Sequence, residues 1–96
     1  MYTLKDTVED MMSGDYNRHF CAEYAQVQSR LNSLERIVKL WDDGDLDFTP
    51  KCPRATYNFQ LKAMRVYRDI LEVRAAIEDI DLETYLDSID SVRDSK

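Results

Sequence analysis

Residues 59–80 read FQLKAMRVYRDILEVRAAIEDI, a stretch in which apolar side chains recur at two helical phases. Phe59, Ala63, Val66, Ile70, Val73, Ile77 and Ile80 follow steps of 4, 3, 4, 3, 4 and 3, the spacing of a coiled-coil seam. At about 100° per residue, Tyr57, Leu61, Met64, Leu71 and Ala75, with Tyr67 at the margin, fall on nearly the opposite side. A helix with two apolar stripes needs two neighbours. Which neighbour takes which stripe decides the architecture.

Upstream, Phe20, Tyr24, Val27, Leu31, Leu34, Val38 and Trp41 repeat the 4, 3 stepping. The two matching seams predict an antiparallel hairpin with Phe20 near Ile77, Val27 near Ile70, Leu34 near Ala63 and Val38 near Phe59. The first arm is expected over 15–43 and the second over 53–80, each roughly 40 Å long at 1.5 Å per residue. Gly44 suits a left-handed helix end, and Pro53 suits a helix start because its missing N–H has no helical partner there. Short amphipathic helices are predicted at both ends. One covers 3–12, with Leu4, Val8, Met11 and Met12 on one face and Thr3 as cap, and the other 82–93, behind Asp81.

With the 4, 3 seam used inside the hairpin, the Tyr57 stripe is left spare. Either the terminal helices cover it or a second chain does. The expected interface set is therefore Tyr57, Leu61, Met64, Leu71 and Ala75, with Leu82, Tyr85, Leu86 and Ile89 from the last helix. The fold class is all-α: a single domain over 1–96, built on a long antiparallel helical hairpin and expected to form a homo-oligomer.

Composition agrees with long helices: 33% of the 96 residues are charged, 44% are hydrophobic, and Gly and Pro number two each. A chain this short buries a modest fraction of its surface, which favours help from self-association. The net charge of −6 argues against broad DNA or RNA binding, since there is no basic excess to release counterions from a phosphate backbone. Cys21 and Cys52 lack metal-ligand spacing and read as free thiols of a reducing compartment, Cys21 as a helix-surface thiol. The opening MYTLKDTVEDMM has neither a basic start nor an apolar core, and no run approaches a membrane span. The expected setting is the cytoplasm of the cell that makes the chain.

Candidate sites gather at the two ends of the hairpin. In the loop KLWDDGDLDFTPKCPRATYNF (39–59), four aspartates suggest a calcium loop, but the ligand order and closing Glu are missing, so no metal is expected. Lys51 and Arg54 flank a helix N-terminus, with Arg36 and Lys39 expected at the same end. They would either hold a phosphate or pair with the aspartates of their own loop. At the far end, Arg18 and His19 are expected to point outward beside a Glu23 to Arg74 and Glu78 ion pair. Tyr67 between Arg65 and Arg68 would stack a base and hold its phosphate, or pack in the core. No Gly-rich phosphate loop, zinc ligand set or nucleophile elbow occurs, so neither catalysis nor a cofactor is expected.

The segments DYNRHFCAEYAQVQSRLNSL, FTPKCP and LKAMRVYRDILEVRAAIEDIDL resemble a family of small helical proteins of tailed phages and prophages of Firmicutes and gut bacteria, a family without assigned catalytic residues. Matching positions include Tyr16, Arg18, Phe20, Glu23, Tyr24, Cys52, Pro53, Met64, Leu71, Glu72, Arg74, Ala75, Ile77 and Glu78. The resemblance implies a phage accessory protein acting in the host bacterial cytoplasm. In architecture it looks like a group of two-helix phage proteins that capture cyclic-nucleotide immune signals as oligomers. The expected function is non-enzymatic counter-defence, sequestering a host signalling nucleotide or a host defence protein. The alternative is a structural or assembly protein that binds another phage protein through the spare stripe.

Overall fold

A computed structural model of the chain describes residues 2–94, with side-chain surroundings for 2–90. A 3-10 turn, Leu4–Thr7, runs into the single-turn α1, Val8–Met11. The two long helices α2, Tyr16–Asp42, and α3, Arg54–Glu78, then form the hairpin, and α4, Leu82–Asp94, closes the order. No strand occurs among the described residues.

The helix ends are set by local chemistry. Asp15 caps α2 by accepting from the Arg18 N–H at 3.0 Å. At the other end Gly44 takes φ 78°, the Asp45 N–H donates to the Leu40 carbonyl at 2.8 Å, and the Gly44 N–H to that of Trp41 at 3.1 Å. These two reverse bonds satisfy carbonyls that a helix end otherwise leaves open. Asp79 closes α3 in the same left-handed region, at φ 59°. Asp81 caps α4 through the Thr84 N–H at 3.0 Å.

The arms zip in the expected direction and nearly the expected register. The Tyr24 hydroxyl donates to Glu72 Oε2 at 2.6 Å, Arg65 pairs with Glu35 at 3.1 Å, and Arg54 pairs with Asp42 at 2.9 Å. The face of α3 is the opposite of the expected one. Leu71 and Ala75 pack with Phe20, Tyr24 and Val27, while Leu61, with half-buried Tyr57 and Met64, packs with Leu31 and Val38. Of the residues assigned to the seam, Phe59, Ala63, Val66, Ile70, Val73 and Ile77 lie on the exposed side, Phe59 at 74% and Ile77 at 78%, while Ile80, beyond the end of α3, packs against the Phe20 cluster.

Arg68 is the reason the two stripes exchange roles without looking exchangeable. It sits in the middle of the buried stripe, and its side chain remains 27% exposed while its Nε donates to Asp69 Oδ1 at 3.1 Å. A long aliphatic stem lets arginine cover apolar surface while its guanidinium stays wet, so a charge in this phase does not forbid packing. The interface set thus closes the chain's own core. Leu82 and Leu86 pack on the Phe20 cluster, the Tyr85 hydroxyl donates to Asp10 at 2.7 Å, and Ile89 is half-buried.

The terminal segments cover α2. Ala22 and Ala25 are fully buried, and their small side chains let the N-terminal turn approach closely. The Tyr2 hydroxyl donates to the Ala25 carbonyl at 2.9 Å, and Gln26 donates to the hydroxyl of buried Thr7 at 2.9 Å. Tyr2 and Thr7 anchor this segment, whereas Leu4, Val8 and Met12 are exposed. Cys21 is buried, not a surface thiol, and burial pushes its pKa up; Cys52 is exposed, and both are free.

Candidate functional site: a cationic groove over α2

The residues expected to bind a ligand do not converge. Arg54 donates through two nitrogens to Asp42, lies over the Trp41 ring at 5.8 Å and bonds Asn58. Asp42, bonded to that guanidinium, has its pKa pulled below the usual carboxylate range. Lys39 pairs with Asp43 at 2.8 Å, so the loop neutralises much of itself, and Lys51 stays exposed beside it. Arg65 is engaged by Glu35, Arg68 by Asp69, and the Tyr67 hydroxyl by Glu23.

At the opposite end Arg18 is exposed and His19 half-buried. The expected pairing of Glu23 with Arg74 gives way to another arrangement. Arg74 lies 3.6 Å from Glu78, donates to the Tyr16 hydroxyl at 3.2 Å and covers the Phe20 ring at 4.9 Å. Tyr16 in turn donates to Glu78 at 2.5 Å. These contacts fasten the hairpin. Among the described residues no cluster of His, Cys, Asp and Glu is placed to hold a metal ion.

The concave feature lies elsewhere. An open groove of about 890 Å³ runs over the middle of α2, between the N-terminal segment and α3. Its apolar surface comes from Tyr2, Leu4, Leu34, Ile37 and Met64. Hydrogen-bonding groups come from Thr3, Ser29, Asn32, Ser33 and Gln60, and three cations, Lys5, Arg30 and Arg36, complete the lining. No lining residue is a carboxylate, although the chain carries 19 Asp and Glu against 13 Lys and Arg. Among the described residues none of the three cations makes an ion pair, in contrast to Arg54, Arg65 and Arg68.

Each wall is held by contacts already described. The Tyr2 bond to Ala25 fixes the N-terminal segment, and Asp6 accepts from the Thr3 N–H at 2.8 Å, turning that carboxylate to its own helix start. Tyr2 is buried enough to raise its phenol to about 12, with Asp90 adding to the shift, so it stays neutral and faces the groove as an aromatic surface. The volume falls within the roughly 300–1,000 Å³ of small-ligand sites. Apolar walls, amides and unpaired cations together suit an organic anion with a flat body, for which phosphorylated nucleosides are the usual biological example.

Sequence reasoning named Arg36 at the loop end but passed over Lys5 and Arg30. A signal was present. Neither Arg30 nor Arg36 has a carboxylate three or four residues away, so α2 offers neither an intrahelical partner, and QSRLNS (28–33) is an uncharged polar run around Arg30. What the sequence does not contain is the docking of residues 2–5 beside that run.

No helix among the described residues is long and apolar enough to cross a membrane. No curated protein and no solved structure matches the chain. The family model described as Sequestin matches residues 14–77, two thirds of the 96-residue chain, from the start of α2 through the last turn of α3, and the chain belongs to the Sequestin family.

Proposed function

We propose that this protein sequesters a phosphorylated ligand of the signalling-nucleotide class in the groove over α2, without transforming it. The observation that carries the reading is three unpaired cations and no carboxylate lining one groove of a net acidic chain. Gathering like charges is unfavourable unless an anion joins them, and here the anion is the ligand. Hydroxyl and amide groups are at hand for the ligand's polar edges, and Tyr2, Leu34 and Met64 for its base. The family's name accords with holding a ligand out of circulation.

The resemblance to phage and prophage proteins supports a role in the host bacterial cytoplasm, where removing a defence signal would protect the phage. Holding the signal needs no catalytic group, only tight binding and enough protein. The dimensions of the groove favour a small ligand over a host defence protein as the captured species.

Calorimetric titration with a panel of cyclic oligonucleotides and ADP-ribose-type nucleotides tests this. At a ligand concentration of about 100 Kd the expected stabilisation is about 2.7 kcal/mol, a rise in Tm of roughly 10–20 °C for a domain this size. Arg30→Ala combined with Arg36→Ala should abolish that shift while changing the unliganded stability by only about 0.5 kcal/mol. Ligand released by denaturation should be chemically intact. No binding across the panel, full binding by the double variant, or turnover of the ligand each refutes the reading.

A further inference from the structure

The stripe that the hairpin leaves uncovered is a complete coiled-coil surface. Phe59, Val66 and Val73 form one row, Ala63, Ile70 and Ile77 the other, and all six are exposed. Val66, Asp69, Ile70 and Val73 surround a shallow depression of about 290 Å³, with Arg74 at its edge. These four stand at i, i+3, i+4 and i+7, the diamond that receives one side chain from a facing helix.

The exposed apolar surface of the stripe is roughly 500 Å², at the upper end for the largest patch on a monomer. Joined to its own copy it would bury roughly 1,000 Å² before the flanking polar residues are added, the threshold for a specific interface. A 4, 3 stripe fits best against another of the same period, and the chain's own second such stripe, on α2, is already used inside the hairpin. The complementary surface still available is the same stripe on another molecule.

Charge selects the orientation. In a parallel pair, a residue flanking the seam meets the residue five positions further along the partner helix. Asp69 of each copy then faces Arg74 of the other, giving two opposite-charge contacts by symmetry. Arg74 has nearly half its side chain exposed and donors beyond those given to Tyr16 and Glu78. The antiparallel alternative sets Asp69 against Asp69. We propose that two copies pair through this face of α3 as a parallel, in-register, two-stranded coiled coil, with Ile70 facing Ile70. Because α2 covers the opposite side of α3, the pairing leaves the hairpin core untouched.

Sedimentation equilibrium of the full chain from micromolar to sub-millimolar concentration tests the pairing. A reversible dimer is expected, weakened roughly a hundredfold or more by Ile70→Asp, which puts a charge at the centre of the interface. Circular dichroism should show the Ile70→Asp chain as helical as the parent, since Ile70 is 51% exposed in the monomer. In a Cys52→Ser background, oxidised Ile70→Cys chains should cross-link to themselves. Preferential cross-linking of Ile70→Cys chains to Val66→Cys chains would signal the antiparallel pair and overturn the proposal. So would a monomer throughout, a dimer indifferent to Ile70→Asp, or a stripe that binds a different protein while the chain stays monomeric.

Discussion

Replacing Leu71 with alanine and, separately, its chain neighbour Ile70 with alanine distinguishes the two possible seams of the hairpin. Leu71 is fully buried among Phe20, Tyr24, Val27 and Ala75, whereas Ile70 is 51% exposed. Losing three buried carbons at Leu71 costs about 2.4 kcal/mol in transfer free energy, and the cavity left behind adds up to about 1 kcal/mol, giving roughly 3 kcal/mol. At Ile70 the same deletion removes carbons that are half in water, and alanine returns about 0.4 kcal/mol of helix propensity, leaving about 1 kcal/mol or less. Urea unfolding followed by Trp41 fluorescence reads the difference. The single tryptophan contacts Tyr57 edge-on at 5.5 Å, so it reports separation of the arms. With a denaturant slope near 1 kcal/mol per M, Leu71→Ala should lower the midpoint by roughly 2–3 M and Ile70→Ala by less than about 1 M. A dilution series separates self-association, which would make the Ile70 effect depend on concentration. Equal costs, or a larger concentration-independent cost at Ile70, would mean that the 4, 3 stripe is the hairpin seam after all.

Two further perturbations probe the ends and the tyrosines. Gly44→Ala should cost about 1 kcal/mol through its left-handed backbone alone, because nothing lies within 4 Å of an added Cβ, while Gly14→Ala, equally open and free of that constraint, should be near neutral; thermal midpoints compare them. Burial, helped by Asp90, raises the Tyr2 phenol to about 12, and burial with bonds to Glu72 and Asp10 raises Tyr24 and Tyr85 further. An unfolded tyrosine titrates near ~10, so above that pH the unfolded chain releases protons that the folded chain keeps. Stability is therefore whole below pH ~10 and falls as pH rises through about 12, a decline that urea midpoints across this window should show and that Tyr2→Phe should lessen.

Most of the architecture was legible because it depends on periodicity and punctuation. The α2 stripe, the Gly44 stop and the caps Thr3 and Asp81 lie close to where the residues put them. The buried face of α3 was not legible, because both of its stripes carry the same 4, 3 stepping. Counting Arg68 as a break makes the Tyr57 to Ala75 stripe look inferior, yet the arginine stem packs while its head reaches Asp69. The better clue lay in the polar partners. Tyr24 with Glu72 and Glu35 with Arg65 span the two arms only when the Leu61 and Leu71 side of α3 turns toward α2.

The site escaped for a different reason, and that reason bears on function. Sequence reading favours cations in clusters, such as Arg65 with Arg68 or Lys51 with Arg54, and in an acidic chain clustered cations find carboxylates: Arg54, Arg65 and Arg68 are all paired. Such exposed pairs contribute little to stability, typically about 0–1 kcal/mol, and they consume the charge a ligand would need. The informative cations are the scattered ones, Lys5, Arg30 and Arg36, which the fold brings to one groove and provides with no acid. With 19 acidic residues available, a carboxylate at Asn32 or Ser33 would have neutralised Arg36 or Arg30 within the helix at a gain of about 0.2–0.5 kcal/mol. Replacing Ser33 with Glu, three residues from both arginines, should therefore raise stability slightly and abolish ligand binding. Unchanged binding in that variant would remove the groove from consideration whatever else the protein captures.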